Sequence, residues 1–112
     1  MISNISDESS YDYLYNSFLQ LETAEEVREF LEDICTVPEI RAMAQRLSVA
    51  RMLYSNHVYN DIVEETGAST ATISRVNRTL NDGHDNAFTG KGYKRVLGRM
   101  GETDAKSRRK KK

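Results

Sequence analysis

Apolar residues recur every three or four positions along most of the chain, which is the spacing of one face of an α-helix. The first stripe shows this spacing most clearly, and it consists of Tyr11, Leu14, Tyr15, Phe18 and Leu19. Proline occurs once, at Pro38, and no run of β-branched residues interrupts the helical spacing. The periodicity therefore predicts an all-α fold.

Residues typical of helix starts and helix ends divide this pattern into six helices. Thr23 and Glu26 have the spacing of a capping box, in which two side chains satisfy free backbone N–H groups. Thr36 can cap a third helix with Pro38 in its first turn, and Gly67 is the residue type expected where a fourth helix ends. The predicted helices cover residues 11–19, 23–34, 36–54, 59–66, 70–81 and 91–100.

A chain of 112 residues has an ordinary length for one domain. We expect this domain at residues 10–100, after a flexible polar segment at residues 1–9. Residues 82–92 are rich in Gly, Asn and Asp and predict a loop. Residues 101–112 are expected to form a disordered basic tail, which either reaches DNA phosphates or only keeps the chain in solution.

Composition excludes several classes of protein. No stretch approaches the ~18 apolar residues of a membrane span, and the N-terminus lacks the pattern of a secretory signal. Cys35 is the single cysteine, and His57 and His84 do not have the spacing of a zinc pair, so we expect no metal. No phosphate loop and no nucleophile–base pair is present, which predicts a non-enzymatic cytoplasmic protein without membrane contact.

The formal net charge of -1 hides a gradient along the chain. Residues 1–33 carry nine acids and one base, whereas residues 34–101 carry nine bases and six acids. Residues 102–112 add six bases and two acids. Such asymmetry is typical of an acidic arm joined to a half that binds anions.

Residues 58–81 predict a helix-turn-helix, because a short helix, a glycine-containing turn and a capped second helix follow each other within this range. Its second helix should bury Ile73, Val76 and Leu80. The layout also fits a plain helical hairpin, but the absence of acids from residues 66–81 favours DNA binding.

The second helix offers the side chains that DNA binding requires. Small and hydroxyl-bearing residues allow close approach to base edges, and arginines can hold phosphates. Lys91 is a further candidate for a phosphate contact. The candidate DNA-binding residues of the helix are Ser69, Thr70, Ala71, Thr72, Ser74, Arg75, Asn77 and Arg78.

This segment closely resembles the DNA-reading segment of the Trp repressor family. The resemblance lies in Gly67–Arg75, with the sequence GASTATISR, together with Leu80. Upstream, residues 36–39 and 42–47 are similar to the start of that family's long central helix. Within the family, the chain looks closer to the YerC/YecD branch than to the tryptophan-sensing repressor.

The resemblance implies an intertwined, all-helical homodimer with two projecting helix-turn-helix reading heads, whose partner is duplex DNA. It therefore implies a transcriptional regulator, expected to be a repressor and to lie on the bacterial nucleoid when bound. The core of the dimer would include the N-terminal apolar stripes, although these stripes also fit a core within one chain. They consist of Tyr11, Leu14, Phe18, Val27, Phe30 and Leu31.

The resemblance also raises the question of a small-molecule effector. The two arginines that sandwich tryptophan in the tryptophan-sensing repressor match Arg46 and Arg75, and a serine near the ligand amino group matches Thr79. However, Val76 stands where that repressor has glycine, and its side chain would intrude on the space of the indole ring. We therefore expect no cofactor and no response to tryptophan, with tryptophan or another small effector as the open alternative.

Two alternatives to this interpretation stay open. The first is a repressor that does sense tryptophan. The second is a protein-interaction module that has kept the helix-turn-helix shape without DNA binding and docks a basic partner on its acidic helix.

Overall fold

The computed structural model describes residues 7–82 and 89–103, and every regular element in these residues is helical. The elements are α1 (Asp7–Phe18), α2 (Ala24–Ile34), α3 (Val37–Tyr54), α4 (Tyr59–Thr66), α5 (Thr70–Asn77), a π-helical segment (Arg78–Asp82) and α6 (Lys91–Arg99). The all-α prediction is confirmed. The chain divides at the start of α3 into two compact units, Met1–Ile40 and Arg41–Lys112.

The predicted caps of α2 and α3 are confirmed. The N–H of Glu26 donates to Thr23 Oγ1 over 3.1 Å, and the Glu26 carboxylate accepts from the N–H of Glu22 over 2.8 Å. At α3, the N–H of Glu39 donates to Thr36 Oγ1, and the N–H of Thr36 donates to the Glu39 carboxylate. These bonds satisfy backbone groups that have no partner inside the helix, and they fix both helix starts.

Two helix boundaries differ from the predicted ones by more than one residue. α1 begins at Asp7 rather than at Tyr11, so residues 7–9 are helical although the sequence predicts a flexible segment there. α5 ends at Asn77, and a wider π-helical turn replaces its predicted last turn. In this turn Asn81 Nδ2 donates to Asn77 Oδ1 over 2.6 Å, and local side-chain bonds of this kind can accompany a departure from regular helical bonding.

The predicted flexible start and basic tail lie mostly outside the described residues. The same holds for most of the predicted loop at residues 82–92. The sequence predicts the tail from residue 101, but Glu102 is described, and it forms an ion pair of 2.9 Å with Arg51. The boundary between the domain and its tail stays a prediction beyond Thr103.

The N-terminal unit contains α1, α2 and the first turn of α3. Phe18 and Phe30 form an edge-to-face ring pair with centroids 5.5 Å apart. No described side chain from Glu8 through Ile40 is buried. The unit instead exposes large apolar side chains, which are Tyr11, Tyr13, Tyr15, Phe18, Leu19, Ile34 and Val37.

The C-terminal unit has a core of its own. Its buried residues come from α3, α4, the following turn, α5, the π-helical segment and α6: Val49, Ala50, Ile62, Ala68, Ile73, Val76, Leu80 and Leu97. Met52, Leu53, Tyr54, Val63 and Tyr93 pack against this core. The core fixes α4 and α5 against α3 and α6, and thereby positions the exposed side of α5.

Candidate nucleic-acid interface

The turn between α4 and α5 is fixed by a series of local hydrogen bonds. Gly67 ends α4 in the left-handed conformation, with φ of 72°, and its N–H donates to the Val63 carbonyl over 2.8 Å. Thr66 Oγ1 donates to the Ile62 carbonyl over 2.7 Å and accepts from the N–H of Ala68 over 3.1 Å. Ala68 is buried, so the turn is anchored in the core.

Ser69 caps α5. Its Oγ accepts from the N–H of Thr72 over 3.1 Å, and it lies at the same distance from Thr72 Oγ1, to which it can donate. Two candidate DNA-binding residues are thus hydrogen-bonded to each other. Thr72 is half-buried and Ser69 is exposed, so Ser69 is the more accessible of the two residues.

α5 has the two faces that the sequence predicts. Ile73, Val76 and, in the next turn, Leu80 are buried, which confirms the predicted core face. The exposed candidates on the other side of α5 and the π-helical segment are Thr70, Ala71, Ser74, Arg75 and Arg78. The helix therefore exposes small, hydroxyl-bearing and cationic residues.

The exposed side of α5 carries two arginines, Arg75 and Arg78, that are not neutralised by the described part of the chain. No acid occurs from Thr66 through Asn81, and neither Arg75 nor Arg78 forms an ion pair with another residue that the structure describes. The acids of α4 line a separate groove of about 960 Å³, to which α3 also contributes residues. These acids are Asp61, Glu64 and Glu65.

Asn77 differs from the other candidates, because it is half-buried and its side-chain oxygen accepts the bond from Asn81. Thr79 is half-buried in the π-helical segment, whereas Arg46 is exposed on α3 and Arg75 is exposed on α5. Val76 is only 3% exposed, so its side chain belongs to the core. Whether these residues contact DNA or an effector stays a prediction.

Sequence reasoning missed Gly90. This residue has φ of 79°, and a Cβ on it would meet the backbone carbonyls of Thr79 and Leu80, the second at 2.9 Å. Gly90 therefore lets α6 begin directly against the π-helical segment that follows α5. Glycine in a predicted loop gives no signal for such packing against a distant part of the chain.

Sequence reasoning also missed that α6 forms a basic groove. The groove is shallow and widely open to solvent, and it is lined by Lys91, Lys94, Arg95, Gly98 and Arg99. Their helical spacing in the sequence was a usable signal for one common face, since positions three and four apart lie together.

No helix among residues 7–82 and 89–103 combines the length and the apolar character needed to cross a membrane.

The helical fold and the arrangement of α4, the turn and α5 fit a helix-turn-helix protein of the Trp repressor type. The family model described as Trp repressor protein matches residues 9–100, so the chain belongs to the Trp repressor family. This is a family of regulators rather than of enzymes.

Individual relatives support the same assignment. The chain is 50% identical over 96 residues to the uncharacterized protein YerC of Bacillus subtilis strain 168, a match that covers 86% of each chain. A TrpR-like protein from Eubacterium eligens ATCC 27750 has a solved structure with 46% identity and a TM-score of 0.74, over 85% of this chain and 92% of that one. A candidate Trp repressor from Staphylococcus aureus gives 43% identity and a TM-score of 0.75, over 86% and 90% of the two chains. These matches confirm the resemblance that the reading segment indicated, including its YerC-type branch.

Proposed function

We propose that this protein is a cytoplasmic, sequence-specific DNA-binding transcriptional repressor that acts as a homodimer and places α5 in the major groove of duplex DNA. The observation that carries the proposal is the exposed side of α5, which is free of acids and is held in place by a buried opposite side. A firmly positioned helix is needed, because base edges are read over hydrogen-bond distances.

The side chains of α5 divide into two proposed roles. Thr70, Ala71 and Ser74 are short enough to let the helix approach base edges, where hydroxyl groups can donate or accept. Arg75 and Arg78 are also exposed and would hold phosphates beside the bases. Ser69 would cap the helix and contact DNA only secondarily, since its Oγ already bonds Thr72.

The proposed homodimer accounts for the surface of the N-terminal unit. The aromatic rings described in this unit are Tyr11, Tyr13, Tyr15, Phe18 and Phe30, and none of them is buried. A region of this kind does not hold itself together by its own core, and a large exposed apolar surface is typical of a protein interface. A second copy of the chain is the proposed partner.

A protein-interaction module without DNA binding is the second candidate function. The observation that favours it is the acidic outer side of α2, where Glu25, Glu29, Glu32 and Asp33 are all exposed. Arg28 pairs with Glu25 and Glu32, which leaves Glu29 and Asp33 without an ion pair to a described residue and available to a basic partner. This candidate does not explain the acid-free side of α5, so we favour the regulator.

The proposed regulator does not respond to tryptophan. Val76 is nearly fully buried, and it occupies the position at which the tryptophan-sensing repressor has glycine. Calorimetric titration of the protein with tryptophan should therefore give no binding heat. Micromolar binding that disappears in Arg46→Ala would contradict this part of the proposal.

The main experiment compares two double variants on one duplex. A duplex of about 30 base pairs, which spans roughly three turns of DNA, is selected by the protein from a random pool and titrated at several salt concentrations. Arg75→Ala combined with Arg78→Ala should weaken binding and lower the salt slope, by about 0.9 for each phosphate that no longer meets a cation. Arg28→Ala combined with Arg41→Ala removes the same formal charge from α2 and α3, and should change binding little.

The outcomes separate the two candidate functions. Steep salt dependence together with preference for the selected duplex supports the regulator. Unchanged affinity of the Arg75 and Arg78 variant at every salt concentration would show that α5 is not the reading helix. Absence of any enriched duplex would favour the interaction module.

A further inference from the structure

α6 has two faces of opposite character. Leu97 is buried and Tyr93 packs against the core of the C-terminal unit, so this side holds the helix in place. The other side forms the basic groove, lined by Lys91, Lys94, Arg95, Gly98 and Arg99.

The charge of the basic groove is not neutralised within the described part of the chain. No acid occurs from Thr89 through Gly101, and the next acid, Glu102, is paired with Arg51. None of the four cations in the groove forms an ion pair with a described residue. The groove thus combines four positive charges that form no ion pair with any residue from 7–82 or 89–103.

The start of α6 is electrostatically unfavourable without an anion. Lys91 and Lys94 lie in the first turns of the helix, and the first turn contains no acid. The N-terminal end of a helix carries partial positive charge and favours anions rather than cations. A bound anion beside the groove would relieve the repulsion between the lysines and the helix dipole.

The position of α6 beside the end of α5 favours a DNA phosphate as the anion for the basic groove. Gly90 packs against the carbonyls of Thr79 and Leu80, so α6 begins beside the segment that continues α5. Lys91 follows Gly90 directly, and the basic groove therefore starts next to the end of the proposed reading helix. Because Arg78 at this end of α5 is proposed to hold a phosphate, the neighbouring phosphates of the same DNA backbone would lie close to the groove.

We propose that the basic groove of α6 binds the phosphate backbone of the same duplex, beyond the base pairs that α5 reads. This inference rests on the proposed function and assigns it a second contact surface. The contact supplies affinity without sequence information, because phosphates are the same at every base pair.

The test uses full-length protein and two duplexes of equal length, one selected from a random pool and one of unrelated sequence. Lys94→Gln, Arg95→Gln and Arg99→Gln are combined in one variant. This variant should bind both duplexes at least about tenfold more weakly, and its salt slope should fall by about 0.9 for each phosphate that no longer meets a cation. Circular dichroism and sedimentation check that its fold and oligomeric state are unchanged.

Two controls match the variant. Lys94→Arg, Arg95→Lys and Arg99→Lys keep the charges and should retain most of the affinity and the salt slope. Arg41→Gln removes one exposed arginine from α3 and should leave the salt slope unchanged, whereas Arg95→Gln alone should lower it.

Each outcome has a distinct meaning. A weaker, less salt-dependent interaction with both duplexes supports the inference. Unchanged binding of the triple variant overturns it while the proposed function stands. A shift of the triple variant from dimer to monomer also overturns it, because the groove would then dock an acidic surface of a second copy. A wild-type protein that binds neither duplex would overturn the proposed function and this inference together.

Discussion

The two units of this protein are stabilised in different ways. The C-terminal unit surrounds eight buried apolar residues, whereas the N-terminal unit buries none among its described residues and exposes tyrosines and a phenylalanine instead. Their charges differ as well, since residues 1–33 are strongly acidic and residues 34–101 are basic. The C-terminal unit thus has its own core and carries the candidate reading helix. The N-terminal unit has an exposed apolar surface that a partner could bury.

The largest change in the free energy of unfolding is expected from a substitution in the core of the C-terminal unit. Ile73→Ala removes a fully buried side chain from α5, and such a deletion costs about 2–5 kcal/mol through the smaller buried surface and the cavity left behind. Denaturant unfolding measures this cost. A value below about 0.5 kcal/mol, the range of ordinary surface substitutions, would mean that this unit does not depend on its own core.

A second large effect is expected at the junction of α6 with the π-helical segment. Gly90→Ala places a methyl group against the carbonyls of Thr79 and Leu80 in a backbone conformation unfavourable for alanine, and should cost about 1–3 kcal/mol.

Gly92 provides the matched control, because a Cβ there would meet no atom within 4 Å. Gly92→Ala lies in the first turn of α6 and should stabilise the protein by about 0.5 kcal/mol or less, because the full helix-propensity gain applies to interior positions. Thermal unfolding of both variants should therefore show shifts of opposite sign. Equal shifts would contradict the packing of Gly90.

Substitutions on the exposed apolar surface of the N-terminal unit should weaken dimer assembly. Tyr11 belongs to the predicted apolar stripe of α1, whereas Tyr13 lies off this stripe and is 81% exposed. Tyr11→Asp should raise the dimer dissociation constant about tenfold or more, since a charge would replace an apolar contact. Tyr13→Asp is the matched control and should change it little. Sedimentation equilibrium measures the dimer dissociation constant of each variant. Equal dissociation constants for the two variants would argue against the proposed role of the stripe.

The smallest effects are expected at the helix caps, one in each unit. Ser69→Ala and Thr23→Ala each remove a side-chain bond to a backbone N–H, which costs about 1 kcal/mol. Ser69→Ala should lower the stability of the C-terminal unit, and Thr23→Ala should also weaken the dimer. Unfolding measured at two protein concentrations separates these effects, because the stability of a dimer depends on protein concentration. If this dependence changed in Ser69→Ala and not in Thr23→Ala, the assignment of the dimer contact to the N-terminal unit would be contradicted.

Most of the helices can be predicted from the sequence, because their causes are local. Thr23 and Thr36 mark helix starts, and Gly67 marks a helix end. The buried side of α5 follows from the spacing of Ile73, Val76 and Leu80. Each of these signals depends on neighbours within a few positions along the chain.

Features that depend on distant residues could not be predicted in this way. Gly90 is constrained by Thr79 and Leu80, which stand outside its own neighbourhood in the sequence. The half-burial of Asn77 accompanies the π-helical turn and the bond to Asn81. The exposure of the N-terminal apolar stripe is also not evident from the sequence, since its spacing fits a core within one chain equally well.

The most direct test of the central claim is the sequence and stoichiometry of duplexes that the protein selects from a random pool. A dimer with two reading helices predicts two inverted half-sites with centres about 10 base pairs apart, bound by two chains. Two half-sites bound by two chains require dimer assembly through the N-terminal unit and base recognition by α5. A single half-site bound by one chain, or no enriched sequence, would contradict the claim.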